Sequence, residues 1–125
     1  MLFATPVGLR VTARLSNSGS ASTPNIVIAA PQLLLIECLQ VLRRSALRGD
    51  ITDALATDLA TDLLALDVVL YDHDLVANRV WELRGNLTAY DATYVALSEL
   101  LNAPLLTNDA KLAAAPGNQA TIEMC

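Results

Sequence analysis

Residues Ile26 to Ala30 form an unbroken apolar run, Ile-Val-Ile-Ala-Ala, rich in β-branched side chains. Short runs of this kind predict a buried strand. Pro31 follows and suits the first turn of a helix. That helix is predicted from Gln32 to about Leu47, apolar nearly all round at its start through Leu33, Leu34, Ile36, Cys38, Leu39, Val41 and Leu42. Arg43, Arg44 and Arg48 gather in its last turns, where cations favour the helix dipole, and Gly49 is a natural stop. Asp50 or Thr52 caps the next helix. Its Leu55, Leu59 and Leu63 recur on one face, and Asp58 and Asp62 on another, which reads as a solvated face.

A second strand is expected at Asp67–Tyr71, then a helix from Leu75 to Arg84, capped by Asp74 and closed by Gly85. Thr88 or Ala89 opens a further helix that runs through Leu101 and ends at Asn102. Pro104 to Thr107 forms a third strand. The turn Asn108-Asp109 starts a short helix around Lys111 to Ala114, and Thr121–Met124 is an edge strand. Strands alternating with helices point to an α/β fold with a parallel sheet covered on both faces.

Composition changes this picture in three places. First, the chain is 54% apolar with mean hydropathy +0.43, which raises the question of a membrane span. The most apolar stretch, Ile26 to Leu42, is interrupted by Pro31, Gln32, Glu37 and Gln40. It falls short of the roughly 18 uninterrupted apolar residues that a span needs. No membrane association is expected, and strands buried on both faces account for the hydropathy. Second, the net charge of −5 argues against a nucleic-acid coat protein but leaves room for a nuclease, whose metal-binding acids add negative charge. Third, Cys38 and Cys125 have no Cys or His neighbours at zinc spacing. Cys38 reads as a small buried hydrophobe, and the pattern fits a reducing cytoplasm. At 125 residues the chain is expected to be one domain, with an atypical segment at residues 1–25.

That segment is free of acids: no Asp or Glu precedes Glu37. With Arg10, Arg14 and a polar run from Ser16 to Thr23, it has the look of a transit peptide or of an amphipathic first helix followed by a loop.

In an open α/β sheet, ligands bind outside the carboxyl ends of the strands, near the point where strand order reverses. Asp109 follows the strand Pro-Leu-Leu-Thr by two residues. Asp91 lies in the first turn of the helix leading into that strand. Glu37 lies about two turns into the helix after the first strand, among Leu34, Ile36 and Leu39, where a carboxylate is costly unless paired or metal-bound. Three carboxylates without Cys or His make an all-oxygen site, which favours Mg²⁺ or Mn²⁺ and phosphodiester chemistry. The chain has no GxSxG, GxGxxG or Walker motif. His73, between Asp72 and Asp74, mimics a metal cluster, but its position beside a turn favours a surface or capping role.

The stretch Trp81-Glu82-Leu83-Arg84-Gly85-Asn86-Leu87-Thr88-Ala89-Tyr90-Asp91-Ala92-Thr93-Tyr94-Val95-Ala96-Leu97, followed by Ala103-Pro104-Leu105-Leu106-Thr107-Asn108-Asp109-Ala110-Lys111-Leu112-Ala113, resembles the C-terminal half of PIN-domain toxins of the VapC type. The helix from Ala30 to Arg44 resembles that family's second helix. The resemblance spans roughly residues 26 to 123 and implies a three-layer PIN-like fold with a central parallel sheet flanked by helices. It implies a ribonuclease toxin cleaving RNA, silenced by a cognate antitoxin and forming a homodimer. It further implies a quartet of acids holding Mg²⁺ or Mn²⁺, of which Glu37, Asp91 and Asp109 match three, with Thr107 supporting. Arg84 and Asn86 fall where the family carries polar residues, and Arg43, Arg44 and Lys111 are candidate phosphate contacts.

The family's first acid ends its first strand, and nothing in residues 1–25 matches it. The expectation is that the first strand and its aspartate lie upstream of Met1, with Gly8–Leu15 forming the first helix. In a chain that lacks both, the sheet would lose its central strand and the site one ligand. Two functions therefore fit: a metal-dependent endoribonuclease, or a catalytically impaired PIN-like module that binds an antitoxin or itself without turnover.

Overall fold

A computed structural model describes residues 10–16, 25–107, 117 and 122–124. The elements, in order, are β1 (Arg10–Ser16), β2 (Asn25–Pro31), α1 (Leu33–Leu47), α2 (Asp53–Leu64), β3 (Val68–Tyr71), a 3₁₀ turn (His73–Leu75), α3 (Ala77–Glu82), α4 (Ala89–Leu101), β4 (Leu105–Thr107) and β5 (Ile122–Met124). One sheet runs in the order β3-β2-β1-β4-β5. β2 pairs in parallel with β3, and β4 with β5. β1 pairs antiparallel with both β2 and β4. Four strands thus share one direction, as the alternation of elements predicts, and the central strand alone is reversed.

The segment Arg10–Ser16 corrects the expected helix over Gly8–Leu15. Val11, Ala13 and Leu15 alternate with Arg10, Thr12 and Arg14, a period of two that suits a strand. β1 fills the central slot, so the row of unpaired backbone groups expected there does not arise: Thr12 faces Ala29 on one side and Leu105 on the other.

Consecutive residues of a strand point to opposite faces. Ala29 and Ala30 are 1% and 0% exposed, so β2 is covered on both faces. Most of the covering on one side comes from α4, in which every residue from Ala92 to Ser98 is buried. Tyr94 and Val95 pack with Ala30, Leu34, Cys38, Leu63, Leu83 and Leu105 into the main core. Val76, Ala96 and Leu97 form a second cluster. Cys38 is buried as expected, and burial pushes its thiol pKa up, with the neighbouring Glu37 charge adding to the effect.

Local departures have local causes. Pro31 does not open α1; it is the buried last residue of β2, opposite Tyr71, and Gln32 takes the N-cap position without a side-chain capping bond. The expected helix Leu75–Arg84 is broken at Val76, whose backbone (φ −120°, ψ −2°) separates a 3₁₀ turn from α3. Asp74 is therefore no helix cap, and α3 ends at Glu82 rather than at Gly85. Leu63 faces the core, but Leu55 is 45% exposed at the start of α2. Asp58 and Asp62 are solvated, as expected. Thr52 and Thr88 cap α2 and α4 through their hydroxyls, and α4 ends at Asn102 in the left-handed conformation (φ 48°). The short helix expected at Lys111–Ala114 lies outside the described residues. Among the described residues, no helix is long and apolar enough to cross a membrane.

Candidate active site at the carboxyl edge of the sheet

The corner after β3 holds the start of α1. The Gln32 backbone N–H donates to the Tyr71 carbonyl at 3.1 Å. The Leu33 N–H donates to His73 Nε2 at 3.0 Å, and Gln32 Nε2 donates to Asp72 Oδ1 at 2.9 Å. His73 thus satisfies an otherwise orphan donor at a helix N-terminus, the capping role its position suggested, but on α1 rather than on its own segment. This clamp sets α1 against the carboxyl ends of β2 and β3.

Glu37 is the fifth residue of α1, just over one turn from its start, and is half-buried. The Tyr94 hydroxyl, on α4, donates to Glu37 Oε1. Tyr94 is only 1% exposed, so its ring is locked by packing and its hydroxyl is a fixed donor. Asp91 is the third residue of α4, also half-buried. Its backbone N–H donates to Thr88 Oγ1 at 3.1 Å, which ties the first turn of the helix. An acid at this position also complements the helix dipole. Asp91 and Tyr94 are spaced i, i+3 and so share a helix face. Tyr94 thus links α4, which carries Asp91 one turn earlier, to Glu37 on α1, 57 residues away in sequence.

Asp109 lies outside the described residues. Thr107 is the last residue of β4, opposite Arg10 of β1 and Met124 of β5. Because β1 is reversed, its first residue, rather than its last, stands at the carboxyl edge of its neighbours. Arg10, paired with Thr107, takes the central backbone position of that edge among the described residues.

Glu37 and Asp91 offer oxygen donors only, half-buried on facing elements, a donor set that suits a hard divalent cation. No group of three metal-capable side chains is found among the described residues; Asp109 is not one of them.

Sequence reasoning missed a second polar network. Arg79 Nε donates to Glu99 Oε2 at 2.7 Å and Nη2 to Glu99 Oε1 at 3.1 Å, a bidentate pair between α3 and α4. Arg79 Nη1 also donates to Glu82 at 3.1 Å, and Nη2 to the Gly117 carbonyl at 2.9 Å. The Glu99 hydrogen bonds hold the guanidinium pKa above its ordinary value. Arg79 therefore ties α4, which carries Asp91, to the chain between β4 and β5. Nothing in the spacing of Arg79 and Glu99 announces the pair. Tyr94, by contrast, was findable: it follows Asp91 by one helical turn.

The PIN domain family model matches residues 10–118 of the chain. The chain belongs to the PIN-domain family. Its relatives include Ribonuclease VapC1 of Mycobacterium tuberculosis, 42% identical over 105 residues, covering 76% of this chain and 72% of the relative. Ribonuclease VapC12 of the same organism is 30% identical over 124 residues, covering 99% and 90%. VapC ribonuclease Mb0985 of Mycobacterium bovis is 39% identical over 105 residues, covering 80% of each. The resemblance to VapC-type PIN domains drawn from the Tyr-Asp-Ala and Leu-Leu-Thr motifs therefore holds. This PIN domain departs from an all-parallel sheet only in β1.

Proposed function

We propose that this PIN domain is a metal-dependent endoribonuclease of the VapC toxin type, cleaving RNA and neutralised by a cognate antitoxin. Glu37, Asp91 and Asp109 hold Mg²⁺ or Mn²⁺, and Thr107 helps to position Asp109. A second copy of the chain and the antitoxin are its protein partners. The observation that supports this assignment is the hydrogen bond from Tyr94, on the helix that carries Asp91, to Glu37 on α1, which links the two helices that the motifs single out. The names of its relatives, ribonucleases all, support the substrate class.

The ion, when bound, supplies charge stabilisation at the phosphodiester and activates the attacking water. The protein's own residues do the rest. Tyr94 restricts Glu37 to one orientation. Thr88 holds the first turn of α4 and with it Asp91. His73 and Asp72 keep the α1 start in place, so that Glu37 faces α4. The test is cleavage of labelled RNA by purified protein, with Mg²⁺ and with EDTA. Metal-dependent cleavage abolished by Asp91→Asn is expected; cleavage that Asp91→Asn leaves unchanged rejects the role of that residue.

One observation favours the second function, a PIN module that binds partners without turnover. Arg10, the first described residue of β1, pairs through its backbone with Thr107 at the edge where the family carries its first acid, and the sequence has no acid before Glu37. A folded protein that cleaves no RNA with Mg²⁺ or Mn²⁺, yet pairs with an antitoxin, would establish it.

A further inference from the structure

Trp81 is the only tryptophan of the chain and is 67% exposed. Tryptophan carries one of the largest apolar surfaces of any side chain and is seldom left in water without a partner. Here the guanidinium of Arg84 lies over the indole, 4.5 Å from its centroid, and Arg84 Nη1 donates to the Trp81 carbonyl at 2.8 Å. The pair is pre-organised: a π-face held beside a fixed positive charge.

Its place in the fold gives the pair a purpose. α4 leads directly into β4, so the α4 N-terminus lies at the carboxyl edge of the sheet. The turn from α3 to α4 is anchored by buried Leu83, whose carbonyl accepts from the Asn86 and Leu87 N–H groups. Trp81 is the fifth residue of α3 and Arg84 the second residue beyond its end, so the pair stands at the start of that turn. Tyr90, 63% exposed, sits on the first turn of α4 next to Asp91. Two exposed aromatic rings and a cation thus lie on the segment leading into the helix that carries Asp91, in a protein whose net charge is −5.

We propose that Trp81, backed by Arg84 and with Tyr90 nearby, is a stacking platform for the bases of single-stranded RNA entering the site. Unpaired bases stack on aromatic and guanidinium planes, whereas bases inside a duplex present no free face. The platform therefore selects unpaired segments. It rests on the ribonuclease assignment for its ligand, but is tested apart from catalysis.

Because Trp81 is the only indole, its fluorescence reports on this surface alone. In EDTA, titration with an unstructured oligouridylate is expected to quench it, and a duplex of equal length is not. By anisotropy of labelled oligouridylate, Trp81→Ala should weaken binding roughly tenfold, the loss of about one stacked base, while Trp81→Phe retains most of it. With Mg²⁺, Trp81→Ala should raise KM and leave kcat near that of the parent. Asp91→Asn should abolish cleavage and keep the quench, so the two assignments fail separately. Binding without quench, together with an unchanged affinity in Trp81→Ala, overturns the platform. So does emission that shifts to the blue on self-association and no longer responds to RNA, which would place Trp81 between two copies of the chain.

Discussion

Replacing Tyr94 by Phe removes one oxygen and nothing else. The ring stays packed against the main core, where Tyr94 is 1% exposed, so no cavity of consequence forms. What disappears is the hydroxyl that donates to Glu37 Oε1. A hydrogen bond to a charged group contributes about 1.5 to 3 kcal/mol when both partners are desolvated. Glu37 is only half-buried, so water replaces part of the loss, and about 1 to 1.5 kcal/mol is the expected net cost. In a chain of this size that lowers Tm by roughly 3 to 6 °C. Mn²⁺ affinity should fall several-fold in parallel, because Glu37 regains rotamer freedom that metal binding must then remove. Urea denaturation and Mn²⁺ titration of Tyr94→Phe, Glu37→Gln and the double variant form a cycle. A coupling of about 1 kcal/mol between the two positions is expected. Additive effects, or a Tyr94→Phe protein as stable and as tight for Mn²⁺ as its parent, would refute the idea that Tyr94 holds Glu37.

Three further outcomes follow from the same contacts. Arg79→Ala strips a bidentate partner from Glu99, whose side chain is only 15% exposed, and should cost about 2 kcal/mol in urea denaturation, with Arg79→Lys recovering only part. His73→Ala leaves the Leu33 N–H without its acceptor and should cost about 1 kcal/mol, read by the same method. Burial raises the Cys38 pKa, so the folded chain keeps a proton that the unfolded chain loses. Stability from this group is intact below a thiol's ordinary pKa of about 8.5 and declines as pH rises beyond it, a trend that Cys38→Ala should lack in pH-dependent melts.

Much of the fold could be read from periodicity. The apolar run of β2, the caps Thr52 and Thr88 and the stop at Asn102 are local features, set by residues within a few positions of one another. Pro31 misled because a proline suits a helix start and a strand end alike; pairing with Tyr71, 40 residues away, decides between them. Val76 breaks a segment whose pattern is helical throughout, since its side chain is drawn into the cluster with Ala96 and Leu97. β1 shows the limit most clearly. Its period-two pattern is visible in retrospect, but nothing local encodes which way a strand runs between two partners. The candidate acids are read from their places relative to the predicted strands; Glu37 stands on α1 and Asp91 on α4, while Asp109 lies outside the described residues. Tyr94, His73 and Arg79 act across the fold, binding Glu37, the Leu33 N–H and Glu99, none of them a neighbour in sequence.

The central claim is that Glu37, Asp91 and Asp109 together hold one divalent ion. Electron paramagnetic resonance of free Mn²⁺, titrated with the full-length protein, measures this without requiring cleavage. One tightly held ion per chain is predicted, weakened at least tenfold in each of Glu37→Gln, Asp91→Asn and Asp109→Asn and unchanged in Asp58→Asn on the solvated face of α2. Equal Mn²⁺ binding by all four variants, or none by the parent protein, would contradict it.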